Sequence, residues 1–189
     1  MHRLFVAIRP PADVRERLAE LMLGVRNVRW QDDDQLHLTL RFIGEVERPL
    51  AEDIAAALQT VRQARFTLAL SGTGSFEHRG KGALWAGVAP HDQITALHRK
   101  VDRVCVQLGL EPERRAYLPH ITLARFTSAG ALDAFVERSA ALGGSPFEVD
   151  SFNLYESELT PQGPVYSVVA RYLLDQSPIA DSRRSTTGP

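Results

Sequence analysis

Apolar positions along this chain alternate between two periods. Leu4 to Arg9 is a near-continuous apolar run, the pattern of a buried strand, and Pro10-Pro11 closes it. Leu18, Leu21 and Met22 then recur at helical spacing until Gly24. Val28–Trp30 reads as a short strand, 31–35 as a polar turn, and Leu36–Ile43 as a strand stopped by Gly44. An alanine- and leucine-rich helix is expected over about Leu50–Gln63, then an alternating strand over Phe66–Leu70. Ser71–Gly82 predicts a glycine-rich loop carrying Arg79 and Lys81, and Ala83–Ala89 a further strand. Ile94, Leu97, Val101, Val104 and Leu108 form one stripe of a long helix over roughly Asp92–Leu108. Pro119–Phe126 is a strand, Leu132–Leu142 a helix, and Phe147–Tyr155 and Val165–Leu174 the last two strands. The polar stretch 176–189, with its Pro, Ser, Thr and Arg, is expected to be a mobile tail.

The elements repeat. Leu4-Phe5-Val6-Ala7-Ile8-Arg9-Pro10 aligns with Leu84-Trp85-Ala86-Gly87-Val88-Ala89-Pro90, and each is followed by a helix, a strand, a second helix and a strand. Two long units of this kind, about 4–83 and 84–174, predict a duplication rather than a solenoid. The expected fold is α+β: one bilobal domain over 1–175, with two antiparallel sheets lining a central cleft and helices packed outside.

The third element of each unit carries the candidate chemistry. Leu36-His37-Leu38-Thr39-Leu40 returns as Pro119-His120-Ile121-Thr122-Leu123. In a strand, residues i and i+2 share a face, so each copy sets an imidazole beside a hydroxyl and buries the apolar positions between. With ten threonines in 189 residues, finding this pattern twice at matching points of a repeat is improbable by chance. His78, His91 and His98 lack it and read as surface or loop residues.

Net charge is -1, which excludes a broadly cationic nucleic-acid coat and leaves only a local patch to bind a polyanion. The single cysteine, Cys105, allows no disulfide framework and reads as packing. No apolar run reaches membrane-spanning length, and the first nine residues read as a strand rather than a secretory leader, so a cytoplasmic monomer without a stable partner is expected. Asp32-Asp33-Asp34 reads as a solvated turn, because three consecutive carboxylates cannot all face one ion. Two histidines without nearby carboxylates fall short of a zinc set. Gly72-x-Gly74 has no following lysine-serine pair and is no phosphate cradle.

His37-Leu38-Thr39-Leu40-Arg41-Phe42-Ile43-Gly44 and Pro119-His120-Ile121-Thr122-Leu123-Ala124-Arg125 resemble the paired His-x-Thr-x motifs of the two-histidine phosphoesterases. Within that superfamily the chain is similar to the RNA 2′,3′-cyclic phosphodiesterases, also known as 2′-5′ RNA ligases. Leu4–Ile8, Leu84–Val88 and Phe152-Asn153-Leu154-Tyr155-Glu156-Ser157 support the match, which covers about residues 3–174. The resemblance implies hydrolysis of RNA ends, or of small cyclic nucleotides, to 2′-phosphomonoesters, with no metal or organic cofactor. It implies His37 as proton donor, His120 as proton acceptor, and Thr39, Thr122 and Arg125 on the phosphate. The same site could join RNA ends through a 2′-5′ bond, and a non-catalytic nucleotide-binding module is the third reading.

Arg125 stands five residues after His120, an odd spacing that puts it on the far face unless a bulge intervenes. Arg41, four after His37, keeps the correct parity and is a second candidate for the substrate. Phe42, opposite Arg125 in the repeat, could stack a base or pack in the core.

Overall fold

The structure is a computed structural model that describes residues 1–127, 132–161 and 163–175. The expected tail at 176–189 lies outside them. The elements run β1 (His2–Ile8), α1 (Ala12–Leu21), β2 (Val28–Trp30), a 3₁₀ turn (Asp33–Gln35), β3 (Leu38–Val46), α2 (Arg48–Leu58), β4 (Phe66–His78), β5 (Lys81–Ala89), α3 (Asp92–Gln107), β6 (His120–Phe126), α4 (Leu132–Ser139), β7 (Phe147–Val149), β8 (Ser151–Thr160) and β9 (Gly163–Leu173). Among the described residues it is a mixed fold of four helices on a large antiparallel sheet.

Eight strands follow one path, β7-β4-β5-β6-β3-β1-β8-β9, with β2 added beside β6. The two sheets expected are thus linked in one path, and the middle link is a single residue pair, Leu38 with Ile121. On either side of that seam the order is motif strand, first strand of its unit, then a strand closing the other unit: β6-β5-β4 and β3-β1-β8.

The two faces of the sheet differ. Leu4, Val6 and Ile8 of β1 join the main core with Val14 and Leu18 of α1, Ile54 and Leu58 of α2, Ile94, Leu97 and Val101 of α3, and Phe135 of α4. Each helix turns its apolar stripe to this face, which is why the polar residues between the stripes stay in solvent. Phe5 and Ala7, the alternate positions, point the other way and form a small cluster with Tyr155, against which Tyr166 packs. The candidate site lies on this second face.

Two expectations need correction. The segment 71–82 is not a loop: β4 and β5 continue through it as a long hairpin that turns at Arg79 and Gly80, both at positive φ. The glycines there serve close packing. A Cβ on Gly74 would come within 2.3 Å of the Trp85 ring, and one on Gly82 within 1.8 Å of the Phe76 carbonyl. The strand expected over 147–155 is two strands: β7 pairs with β4 and β8 with β1, on opposite margins of the molecule.

Candidate active site

Both motif strands are irregular at the same place. In β3, Thr39 pairs with Ala7 and Arg41 with Val6, so Leu40 is an extra residue. In β6, Thr122 pairs with Trp85 and Ala124 with Leu84, so Leu123 is extra. Each extra residue reverses the alternation beyond it. Arg125 therefore pairs with Ala83, two residues from Trp85, and returns to the face of His120 and Thr122. The odd spacing is satisfied by the bulge at Leu123. The bulge at Leu40 has the opposite consequence for the expected substrate contacts of β3. It carries Phe42 onto the face of Phe5 and turns Arg41 toward the helices.

Arg41 is accordingly buried on the helix side of the sheet. Its guanidinium lies 3.1 Å from Asp102 and 3.6 Å from Glu113 and donates to the Glu111 carbonyl. Two side chains of the following segment grip the same bulge: His98 Nδ1 bonds the Leu40 carbonyl at 2.7 Å, and the Tyr117 hydroxyl donates to the Thr39 carbonyl at 3.0 Å. Their rings stack 4.0 Å apart. His98 reads from the sequence as a surface or loop residue, but it is buried in the α3 stripe one helical turn beyond Ile94. On β6 the amide N–H of Gln31 donates to the carbonyl of the bulged Leu123 at 2.8 Å. Gln31 is buried and also lines the cleft, a position that no motif or periodicity marks.

His37, Thr39, His120, Thr122, Arg125 and Phe42 line one cavity of about 610 Å³. Both imidazoles are held the same way. His37 Nδ1 donates to the Gln35 carbonyl and His120 Nδ1 to the Leu118 carbonyl, each at 2.7 Å. A main-chain carbonyl can only accept, so Nδ1 carries the hydrogen and Nε2 is the bare nitrogen of each neutral ring. Aromatic rings fix the planes: Phe5 and Tyr166 pack on His37 at 4.9 and 5.3 Å, and Phe76 stands edge-on to His120 at 5.0 Å.

Burial lowers the pKa of His37 to about 4, with Arg125, His120 and Arg9 acting in the same direction and the bond to Gln35 opposing them. His120 is lowered too, first by burial and then by Arg125. Without an anion between them both rings are neutral at pH 7. A bound phosphate, an opposite charge at close range, raises both.

The remaining candidates lie elsewhere. Asp33 is bonded by Arg15 and Arg9, and Asp34 by Arg9, so the acidic turn is an ion-pair cluster. Cys105 is buried, and desolvation raises its thiol pKa. Arg79 and Lys81 are exposed at the hairpin tip. No group of three or more His, Cys, Asp and Glu among the described residues is placed to hold a metal ion. No helix of the described residues is long and apolar enough to cross a membrane.

Two imidazoles presenting bare nitrogens to a cavity beside Arg125 and two threonines define a two-histidine phosphoesterase. The chain belongs to the 2′-5′ RNA ligase superfamily, whose family model matches residues 5–161. It is 34% identical over 163 residues to the RNA 2′,3′-cyclic phosphodiesterase of Aeropyrum pernix, covering 84% of this chain and 91% of that protein. To the Thermus thermophilus protein of the same name it is 35% identical over 184 residues, covering 91% and 90%. Among solved structures it is similar to Escherichia coli LigT complexed with 3′-AMP, with a TM-score of 0.78 and 26% identity over 93% of this chain and 99% of that one.

Proposed function

We propose that this protein hydrolyses the 2′,3′-cyclic phosphate at RNA ends to a 2′-phosphomonoester, using two histidines and no metal or organic cofactor. The observation that carries this reading is the matched presentation of two neutral Nε2 atoms to one cavity beside Arg125. His120 takes a proton from water, which attacks phosphorus. The P–O3′ bond breaks, and His37, protonated once the anion is bound, returns a proton to the leaving 3′ oxygen. Thr39, Thr122 and Arg125 hold the non-bridging oxygens as charge builds on them. Phe42, 59% exposed at the cavity wall, stacks the terminal base.

The division of labour between the histidines has a test of its own. In the empty site His37 is the harder ring to charge, so its donor role depends on the phosphate to raise its pKa. If His37 is the acid, the pH profile of kcat/KM should lose its alkaline limb in His37→Ala and its acidic limb in His120→Ala. The reverse pattern exchanges the roles.

The same acid and base run the reverse reaction, so 2′-5′ ligation uses this site when a 5′-hydroxyl replaces water. The two halves of the domain 1–175, related by the strand order around the seam, descend in this reading from one duplicated unit, and the protein acts as a cytoplasmic monomer. The deciding experiment is an EDTA-treated assay on an oligoribonucleotide ending in 2′,3′-cyclic phosphate, with the product terminus identified. A 2′-phosphate is expected. Loss of activity to EDTA with recovery on adding metal contradicts the mechanism, and no turnover leaves a binding module.

A further inference from the structure

One end of the cleft is more cationic than a single terminal phosphate requires. Arg29 of β2 lies directly opposite Arg125 of β6 in the antiparallel register. Like charges at directly opposed positions destabilise a strand pair. Arg29 continues across the backbone of Gly163 at the start of β9, where a Cβ would come within 2.2 Å of its Nη1. Only glycine, which also tolerates the local φ of 129°, leaves room for that guanidinium. Three residues along β9, Tyr166 lines the cavity together with Arg3 and Arg125. The fields of Arg125, Arg29 and Arg3 all reach its hydroxyl.

Elsewhere the protein neutralises its buried and half-buried arginines. Arg9 and Arg15 are paired with Asp33, and Arg41 with Asp102. Among the described residues no carboxylate lies within ion-pair distance of Arg3, Arg29 or Arg125. Arg3, Arg29 and Arg125 are exposed, and what sets them apart is their place: among the described residues these three unpaired guanidiniums surround one phenol. A cyclic phosphate end carries one negative charge, which Arg125 and the two threonines accommodate. Of the other two arginines, Arg3 lines the same cleft, and Arg29 stands at its margin, opposite Arg125 and against Gly163.

We propose that Arg29 and Arg3, with the Tyr166 hydroxyl as a neutral donor, form a second phosphate subsite. It holds the phosphodiester on the 5′ side of the terminal nucleotide, so the preferred substrate is an oligonucleotide end rather than a free cyclic mononucleotide. This rests on the cyclic phosphodiesterase reading above. Burial raises the Tyr166 pKa despite the nearby cations, so the phenol keeps its proton to donate at neutral pH.

The test compares two adenosine dinucleotides ending in 2′,3′-cyclic phosphate. One has a normal internal phosphodiester and the other an uncharged methylphosphonate of nearly the same shape. The wild-type protein should show kcat/KM roughly tenfold or more higher for the charged linkage, the scale of a charge-assisted contact. In Arg3→Gln/Arg29→Gln that ratio should fall to within about twofold of one, and the salt dependence of kcat/KM on the charged dinucleotide should flatten. A wild-type ratio near one, or a ratio unchanged in the double variant, overturns the subsite. The wild-type comparison needs no variant, so a misfolded variant does not spoil it. If the wild type cleaves neither dinucleotide, the hydrolytic reading fails. Equilibrium binding of the same two ligands then decides the subsite separately, and equal affinities overturn it.

Discussion

The strands β3 and β6 begin alike and finish differently. A histidine whose Nδ1 is tied to a main-chain carbonyl two residues back stands at the start of β6 and just before β3, a threonine follows, and each strand bulges at the next leucine. The bulge places the fifth residue after each histidine in the cleft. On β3 that residue is Phe42, and on β6 it is Arg125. One geometry therefore delivers a stacking surface on one side and a cation on the other. The environments diverge as well: His37 is enclosed by Phe5 and Tyr166, whereas His120 meets the partly exposed Phe76. In the proposed mechanism one ring is the acid and the other the base, and the difference between them lies in what surrounds two similarly held rings.

The strongest way to break the comparison is to remove the rings. His37→Ala and His120→Ala should each lower kcat by about two to four orders of magnitude. Single-turnover assays in which both variants stay near wild-type rates would end the acid–base reading. Arg125→Ala and Arg41→Ala should then separate cleanly. Arg125→Ala is expected to cost about 10²-fold in kcat/KM with little change in melting temperature, since the residue is exposed and, in the proposed reaction, holds the oxygens on which charge develops. Arg41→Ala leaves Asp102 and Glu113 facing a buried gap and should cost about 3 kcal/mol of stability. Equal damage to Tm and to phosphate affinity from both variants would refute the parity reversal.

Next in size is a pH effect. His37 has a folded pKa of about 4 against 6.5 unfolded, so below pH 6.5 the unfolded chain takes up the proton first. The stability contributed by the neutral ring is complete above pH 6.5 and is lost as pH falls toward 4, by about 2–3 kcal/mol. Denaturant melts at pH 7.5 and 4.5 should show a smaller loss for His37→Gln than for wild type, and parallel losses would exclude the buried imidazole as the source. Phe42→Ala should raise KM for an RNA end roughly tenfold, the scale of one base–aromatic stack, and leave kcat within about twofold. The smallest effect is that of Tyr117→Phe. It removes one hydrogen bond to the Thr39 carbonyl and should cost about 1 kcal/mol by denaturant melts.

The candidate site is legible in the sequence because its residues recur at one interval in two units, a regularity that survives any local distortion. The consequence of the distortion is legible for Arg125, whose spacing requires a bulge, and not for Arg41. Leucine is acceptable in a regular strand and in a bulge, so nothing about Leu40 signals that the phase changes after it. The hairpin over 71–82 is hidden for another reason. Its glycines permit contact with Trp85 and the Phe76 carbonyl, and without those partners in view the glycines look like a break. His98 escapes notice because a histidine beside an apolar stripe reads as solvated unless the carbonyl it meets, that of Leu40, is known. The continuity of the sheet cannot be read at all, since it turns on one pairing between strands some eighty residues apart.

That one pairing has a mechanical consequence. Stiffness in a sheet comes from its ladders, and across the middle of this molecule the ladder is one rung, Leu38 with Ile121. The two imidazole rings of the candidate site stand on opposite sides of that rung. Their spacing is braced from behind, by His98, Tyr117, and Asp102 and Glu113 reaching across to Leu40, Thr39 and Arg41. The ion pairs turned away from the reaction thus act as the strut that sets the width of the jaws.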